Sequence, residues 1–399
     1  MRLRKYITGA MFWFCAAAAF GQSPSPSLTI VTMGDAGDRG GILRGNAKLL
    51  DDMRTGQHDG GRCNVLVLLG NDFGETGLNV PKDDVSGALN GTLGFFRNVM
   101  SDIGAENVHG VPGESDYYAR KAVEKTALFG LITLSEWTVG LSDRGVQRAA
   151  ESRDWSFHYH YPAAAFHAIA PGSPDSVELF FFDSALLLRT PAHSWGGALD
   201  SLRKILAVSR LHPGVRWRLF FVHHPLASAG EHGGYSIWND EDSTTQYVSG
   251  CDRDSNAYGY VKNWLDPEDL CTDRYRAYTD SIAECVRNSG VVIQAFLSAH
   301  DRSLQLLSSG DPSSWRKGVP PIQIISGCGS ETTIVEISAP PNVYTAGQRN
   351  SNGLSLGGFV QLKWRDGGMV VTFFNERNGD VVNMGGKTEF VVREDGTIQ

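Results

Sequence analysis

The sequence predicts an α/β fold, and three observations predict it. Short apolar, β-rich runs alternate with segments whose apolar residues recur at helical spacing. Several of these runs lead directly into a loop carrying Gly, Asp, Asn or His. Beyond Ile322 the pattern turns all-β, with IQIIS, FVQLKW, MVVTFF and EFVV in succession.

The elements follow in order. Leu28 to Met33 (LTIVTM) and Asn64 to Leu69 (NVLVLL) are near-continuous apolar runs, as expected of strands buried on both faces. Ile42 to Met53, between them, has the spacing of an amphipathic helix, which makes a βαβ unit with its chemistry at the carboxyl ends of the strands. Val85 to Met100 reads as a helix, and Asn107 to Val111 as a short strand. Phe157 to Tyr161 (FHYHY) has the look of a metal cluster at His158 and His160. Its alternation is explained more simply by a strand with aromatic residues on one face. Val177 to Asp183 is a strand, Ala198 to Ser209 a helix, and Trp217 to Val222 a strand. Tyr275 to Asn288 is a helix, and Val291 to Leu297 the strand after it.

At the N-terminus Arg2, Arg4 and Lys5 precede an apolar, Ala-rich stretch, Ile7 to Phe20, followed by small residues in Ala19-Phe20-Gly21. This is the grammar of a secretory signal peptide over 1–21. A Ser/Pro linker over 22–27 and one domain over 28–399 come next. The expected location is secreted or the lumen of the secretory pathway, with no membrane span after cleavage. Cys251 and Cys271 bracket a polar stretch and are the pair expected to close an insertion loop over 251–271. Cys63 and Cys328 adjoin apolar segments, as buried thiols do. A net charge of -8 and the lack of a long basic run exclude nucleic acid as an expected partner.

Five short segments carry the chemistry. They are GDAG (Gly34 to Gly37), LLGNDFGETG (Leu68 to Gly77), VPGESDYY (Val111 to Tyr118), FFVHHPLASAGEHG (Phe220 to Gly233) and LSAHDRSLQLL (Leu297 to Leu307). In order and approximate spacing they resemble the metal-binding loops of purple acid phosphatases, a branch of the calcineurin-like metallophosphoesterases, whose pattern is GDxG, GDNFY, GNHD, GHHP and GHDH. SGCGSETT (Ser326 to Thr333), GGFVQLKW and MVVTFFNERNGDVV extend the resemblance over nearly the whole mature chain. It implies a four-layer αββα sandwich of two mixed β-sheets flanked by helices.

The same resemblance implies a metal-ligand set at Asp35, Asn71, Glu114, His223 and His300, with several departures. The bridging aspartate falls on Asn71, and Asp72 reaches its place only if the loop shifts by one residue. The colour-giving tyrosine falls on Gly74, the histidine that protonates the leaving group on Ser115, and the last histidine on Arg302. One subsite thus keeps Asp35 alone. The other keeps Glu114, His223 and His300, with Asn71 as a weak fourth ligand, a set that suits one divalent ion such as Zn, Mn or Fe. A binuclear centre is not expected. His224 is the candidate catalytic residue, and His232 and Arg302 are the candidate substrate contacts. Arg302 is expected either to pair with Asp35 or to clamp a phosphate, and Asp116 to order its loop.

Two functions follow from this reading. One is a secreted pseudo-phosphatase that binds a protein partner, loosely analogous to the apicomplexan glideosome anchors of the same fold. The other is a phosphomonoester hydrolase that works on a phosphate ester with a single divalent metal.

Overall fold

The computed structural model describes residues 28–38, 40–72, 93–117, 158–169, 176–230, 232, 236–239, 244–247, 270, 272–308, 320–333, 343–345, 356–365 and 367–399. The expected signal peptide and linker, and both Cys251 and Cys271, lie outside them. Among the described residues Cys63, Cys285 and Cys328 are free thiols. No described helix is long and apolar enough to cross a membrane.

The first βαβ unit forms as its pattern requires. Strand β1 (Thr29–Met33) and strand β2 (Val65–Leu68) pair in parallel around helix α1 (Gly41–Thr55). Leu43, Ala47, Leu50 and Met53 form the buried stripe of α1. Gly56 ends the helix at φ 78°, the left-handed conformation that glycine adopts without a Cβ penalty. Leu93–Phe96 is a 3-10 turn running into α2 (Arg97–Ile103), so the described end of the helix expected over 85–100 is shifted towards the C-terminus. Strand β3 (Val108–Gly110) and the short β4 (His158–Tyr159) continue the sheet in parallel.

Strand β5 (Ala163–Ile169) begins the second sheet and pairs antiparallel with β6 (Ser176–Phe182). Helices α3 (Ser184–Arg189) and α4 (Gly196–Ser209) then lead to β7 (Trp217–Phe221). A separate hairpin pairs β8 (Ser236–Asn239) with β9 (Thr244–Tyr247). Helix α5 (Asp273–Ser289) is capped by the Thr272 side chain, which accepts from the Tyr275 N–H at 3.1 Å. It leads to β10 (Ala295–Ser298), β11 (Leu304–Ser308), β12 (Ile322–Ser326) and β13 (Val343–Thr345). The C-terminal meander is β14 (Gly358–Arg365), β15 (Gly368–Asn375) and β16 (Glu389–Val392).

Two seven-stranded mixed sheets result, ordered β16-β15-β14-β1-β2-β3-β4 and β13-β11-β12-β10-β7-β6-β5. Alternation of side chains assigns each strand to two packing layers. Ile30, Val65, Val67, Phe181 and Leu219 pack in the cluster between the sheets. Val31, Met33, Leu66 and Leu68 pack with α1 and α2 instead. Phe180, Phe182 and Phe220 pack with α4 and α5 on the far side. This is the expected four-layer sandwich. It sets the carboxyl ends of β1, β2, β3, β7 and β10 at a common edge, the position at which open α/β sheets place their functional loops.

Candidate metal centre

Each candidate ligand sits just beyond one of those strand ends. Asp35 follows β1, Asn71 follows β2, Glu114 follows β3, His223 follows β7 and His300 follows β10. The loops are tied by backbone hydrogen bonds, two within a sheet and one between the sheets, at Gly34. The Asp35 N–H donates to the Gly70 carbonyl at 2.9 Å, the Gly34 N–H to Ser326 at 2.7 Å and the Ala299 N–H to His223 at 2.9 Å. The approach is close enough to demand glycine. A Cβ on Gly70, whose φ is 90°, would lie 2.4 Å from the Gly113 nitrogen and 2.8 Å from His223 Nδ1.

Asp35, Asn71, His300 and Arg302 are the non-glycine residues with positive φ among the described ones, at 53°, 58°, 65° and 38°. All four belong to these loops. Such conformations cost about 1–3 kcal/mol each and persist where surrounding structure over-determines them, as at binding sites.

Glu114, His223, His224 and His300 bring ligand atoms within 4.8 Å of one another. Glu114 Oε2 lies 2.7 Å from His223 Nε2, 3.6 Å from His224 Nε2 and 3.7 Å from His300 Nδ1. A tetrahedral ion with bonds of about 2.0–2.1 Å spaces its ligand atoms roughly 3.3 Å apart, so these residues fit one divalent ion. His223 Nδ1 is held by the Leu69 carbonyl at 2.5 Å, leaving Nε2 to face the cluster. Arg189 donates to the Glu114 carbonyl at 3.1 Å and lies over the Tyr117 ring, which fixes the Glu114 backbone.

The electrostatics follow from burial and proximity. Burial opposes charge on His223, but Glu114 and then Asp35 push it up to about 10. Burial likewise opposes charge on Glu114, but His223 and His300 hold it well below the usual carboxylate range. The pair is therefore an imidazolium and a carboxylate when no metal is bound. His224 is held well below its usual value, first by burial and then by His300 and His223.

Asn71 occupies the centre. Its Oδ1 accepts from the Ser115 N–H at 2.9 Å, which fixes the orientation of the amide. Its Nδ2 therefore faces the carboxylate acceptors, 2.9 Å from Asp35 Oδ1 and 2.6 Å from Glu114 Oε1, with His223 Nε2 3.1 Å away. An aspartate here would present an acceptor to those same groups; the asparagine presents a donor. Asp72 does not move into the site. Its carboxylate turns back to accept from the Gly70 N–H at 3.2 Å, and burial and Asp116 raise its pKa well above normal.

Arg302 does not meet Asp35, contrary to the pairing expected from the sequence. It forms an ion pair with Glu331, both side chains being 44% exposed. The Asp35 carboxylate takes the Asn71 amide instead, while its Oδ2 has no hydrogen-bond partner. The outward turn at Arg302 carries the guanidinium towards solvent, where desolvation costs least.

The other expected residues are placed as follows. His224 is fully buried, its Nδ1 2.9 Å from Ser184 Oγ, and it belongs to the ligand cluster rather than to a pocket surface. The His232 ring lies against His300, with centroids 4.3 Å apart. Asp116 orders two loops, accepting from the N–H groups of Asn71 at 2.9 Å, Gly113 at 2.8 Å and Asp72 at 3.0 Å. His158 and His160 stack on His109, with His160 Nε2 3.0 Å from His109 Nδ1. They form no part of the loop cluster. Sequence reasoning missed Ser184, Arg189 and Asp301. Asp301 accepts from the His232 N–H at 2.9 Å and binds Ser228. An acidic residue directly after His300 was the available signal.

No family model and no curated protein matches the chain. Among solved structures it is similar to GAP50, the anchor in the inner membrane complex of Plasmodium. That match has a TM-score of 0.51 and 14% identity over 90% of this chain and 87% of that one. A second similarity is to PhoD, with a TM-score of 0.48 and 9% identity over 94% of this chain and 71% of that one. At these identities the likeness concerns the fold. The GAP50 likeness agrees with a sandwich of two mixed sheets flanked by helices.

Proposed function

We propose that the chain is a secreted pseudo-phosphatase. On this reading it keeps the metallophosphoesterase scaffold for binding or assembly and holds at most one divalent ion. The observation that carries this is the Asn71 amide, which donates to one oxygen each of Asp35 and Glu114, where a bridging carboxylate between two cations would have to be an acceptor. The exposed Arg302–Glu331 pair and the serine at position 115 remove two further parts of a phosphatase site. The similarity in fold to an anchor protein makes a binding role chemically ordinary for such a scaffold. The partner class is a protein surface.

The second reading is hydrolysis of a phosphate ester with a single divalent ion at Glu114, His223 and His300. The clustering of those ligand atoms with His224 favours it. An ion bound there supplies Lewis acidity towards a phosphate oxygen. His223 would be fixed through Leu69, Glu114 through Arg189, and His232 would line the approach over His300. With Ser115 in place of an acid, no side chain at that position protonates the leaving group, a loss worth roughly 10²–10⁴ in rate.

Metal analysis of the purified mature protein together with phosphomonoester assays separates the two. The pseudo-phosphatase reading expects no turnover of alkyl or aryl esters at any metal loading. Metal-dependent cleavage of activated aryl phosphates, lost in His223→Ala, replaces it with the second reading.

A further inference from the structure

A second set of metal-ligating side chains lies at the opposite end of the second sheet. Glu178 stands near the start of β6, whereas His223 and His300 follow the ends of β7 and β10. Strand register sets His167 of β5 directly across from Glu178, and Glu178 directly across from Arg218 of β7. All three share the face occupied by Phe180 and Phe220, under the C-terminal end of α4. His212 comes from the turn that follows that helix.

Glu178 is 1% exposed, and its two oxygens have separate surroundings. Oε2 accepts from the Ser209 hydroxyl and lies 3.4 Å from Arg218 Nε. The rest of the Arg218 guanidinium is spent on carbonyls at the end of α4, donating to Val215 at 3.1 Å, His212 at 3.2 Å and Ser209 at 3.4 Å. Oε1 faces the histidines, with His167 Nε2 at 3.3 Å and His212 Nδ1 at 3.6 Å. His212 Nδ1 is buried and has no hydrogen-bond partner. The two rings meet edge to face with centroids 5.1 Å apart, and their side chains are 41% and 40% exposed, which leaves a route from solvent.

The geometry points to a zinc-type divalent cation site formed by Glu178 Oε1, His167 Nε2 and His212 Nδ1. The observed separations from Oε1 already match the edges of about 3.3 Å expected of tetrahedral zinc, and a carboxylate with two imidazoles suits that ion. A water completes the shell. Arg218 and Ser209 fix the carboxylate from behind, as outer partners do in metal sites, while the nearby positive charge of Arg218 weakens the affinity. A bound ion would tie the edge strand β5 to the turn after α4. This site is independent of the function proposed for the loop cluster.

Zinc bound per chain, measured by equilibrium dialysis of the full protein, tests it. The double variant His167→Ala/His212→Ala should lose one equivalent of zinc relative to the unaltered chain. It should keep whatever zinc His300→Ala removes. The single change His167→Gln, at the half-exposed rim where folding is not at stake, should lose the same equivalent. Equal zinc content in the unaltered chain and either of these variants overturns the site. So does zinc-edge anomalous scattering that finds the metal only among Glu114, His223 and His300.

Discussion

The two halves of the loop cluster offer an ion opposite things. On one side Glu114, His223, His224 and His300 keep potential ligand atoms within 4.8 Å of one another, and their outer contacts to Leu69, Arg189 and Ser184 hold them there. On the other side Asp35 faces an amide, Asp72 has folded back on Gly70, and Arg302 has turned outward to Glu331. The backbone scarcely distinguishes the halves, since positive φ persists at Asp35, Asn71, His300 and Arg302 alike. The difference is one of side-chain chemistry on a common frame.

Exchanges at the centre should break this contrast most strongly. His223→Ala removes the imidazole bound to both Leu69 and Glu114, and loop-cluster metal uptake should vanish in elemental analysis after dialysis. Asn71→Asp replaces the donor by a third carboxylate beside Asp35 and Glu114. In chelator-treated protein this should cost about 3–5 kcal/mol in urea unfolding, because buried charge is left uncompensated. Added divalent metal should recover much of that loss. Asp116→Ala should cost about 3 kcal/mol, because it strands three backbone N–H groups shared by the two loops.

A subtler effect comes from outside the cluster. Burial, then His160 and His158, lower His109 to about 2; burial, then His158, lower His160 to about 3. Both histidines are neutral in the fold and titrate near 6.5 when unfolded. Stability is therefore full above about pH 6.5 and falls as pH drops from there towards 3, by about 1.4 kcal/mol per unit for each ring. Unfolding measured between pH 7 and pH 4 should follow this slope, and His109→Phe, among Phe166 and Phe181, should flatten it. The smallest effect belongs to Arg302→Ala. An ion pair whose side chains are 44% exposed is worth about 0–1 kcal/mol, and loop-cluster metal uptake should not change.

Much of the frame was legible because it is local. The LTIVTM and NVLVLL runs, and the histidines that follow WRLFFV and the later AFLS run, announce strands and the loops at their ends. Strand β5 was not legible, since AAAFHAI combines alanines with no clear alternation, and its strand state depends on pairing with β6. Strand β11 was hidden inside a segment noticed for its chemistry. The direction of the Asn71 amide depends on the Ser115 N–H in another loop, and the outward course of Arg302 on Glu331, so neither could be read from its own neighbourhood. His167, Glu178 and His212 are separated in sequence and meet only through register and the end of α4.

The central claim is that the loop cluster holds one ion at most, on the Glu114 side. Metal analysis of the His167→Ala/His212→Ala variant tests it most directly, since metal retained there belongs to the loops. One equivalent or less, absent once His223→Ala is added, is the predicted result. Two equivalents per chain, with Asp35 among the ligands of the second, would contradict it.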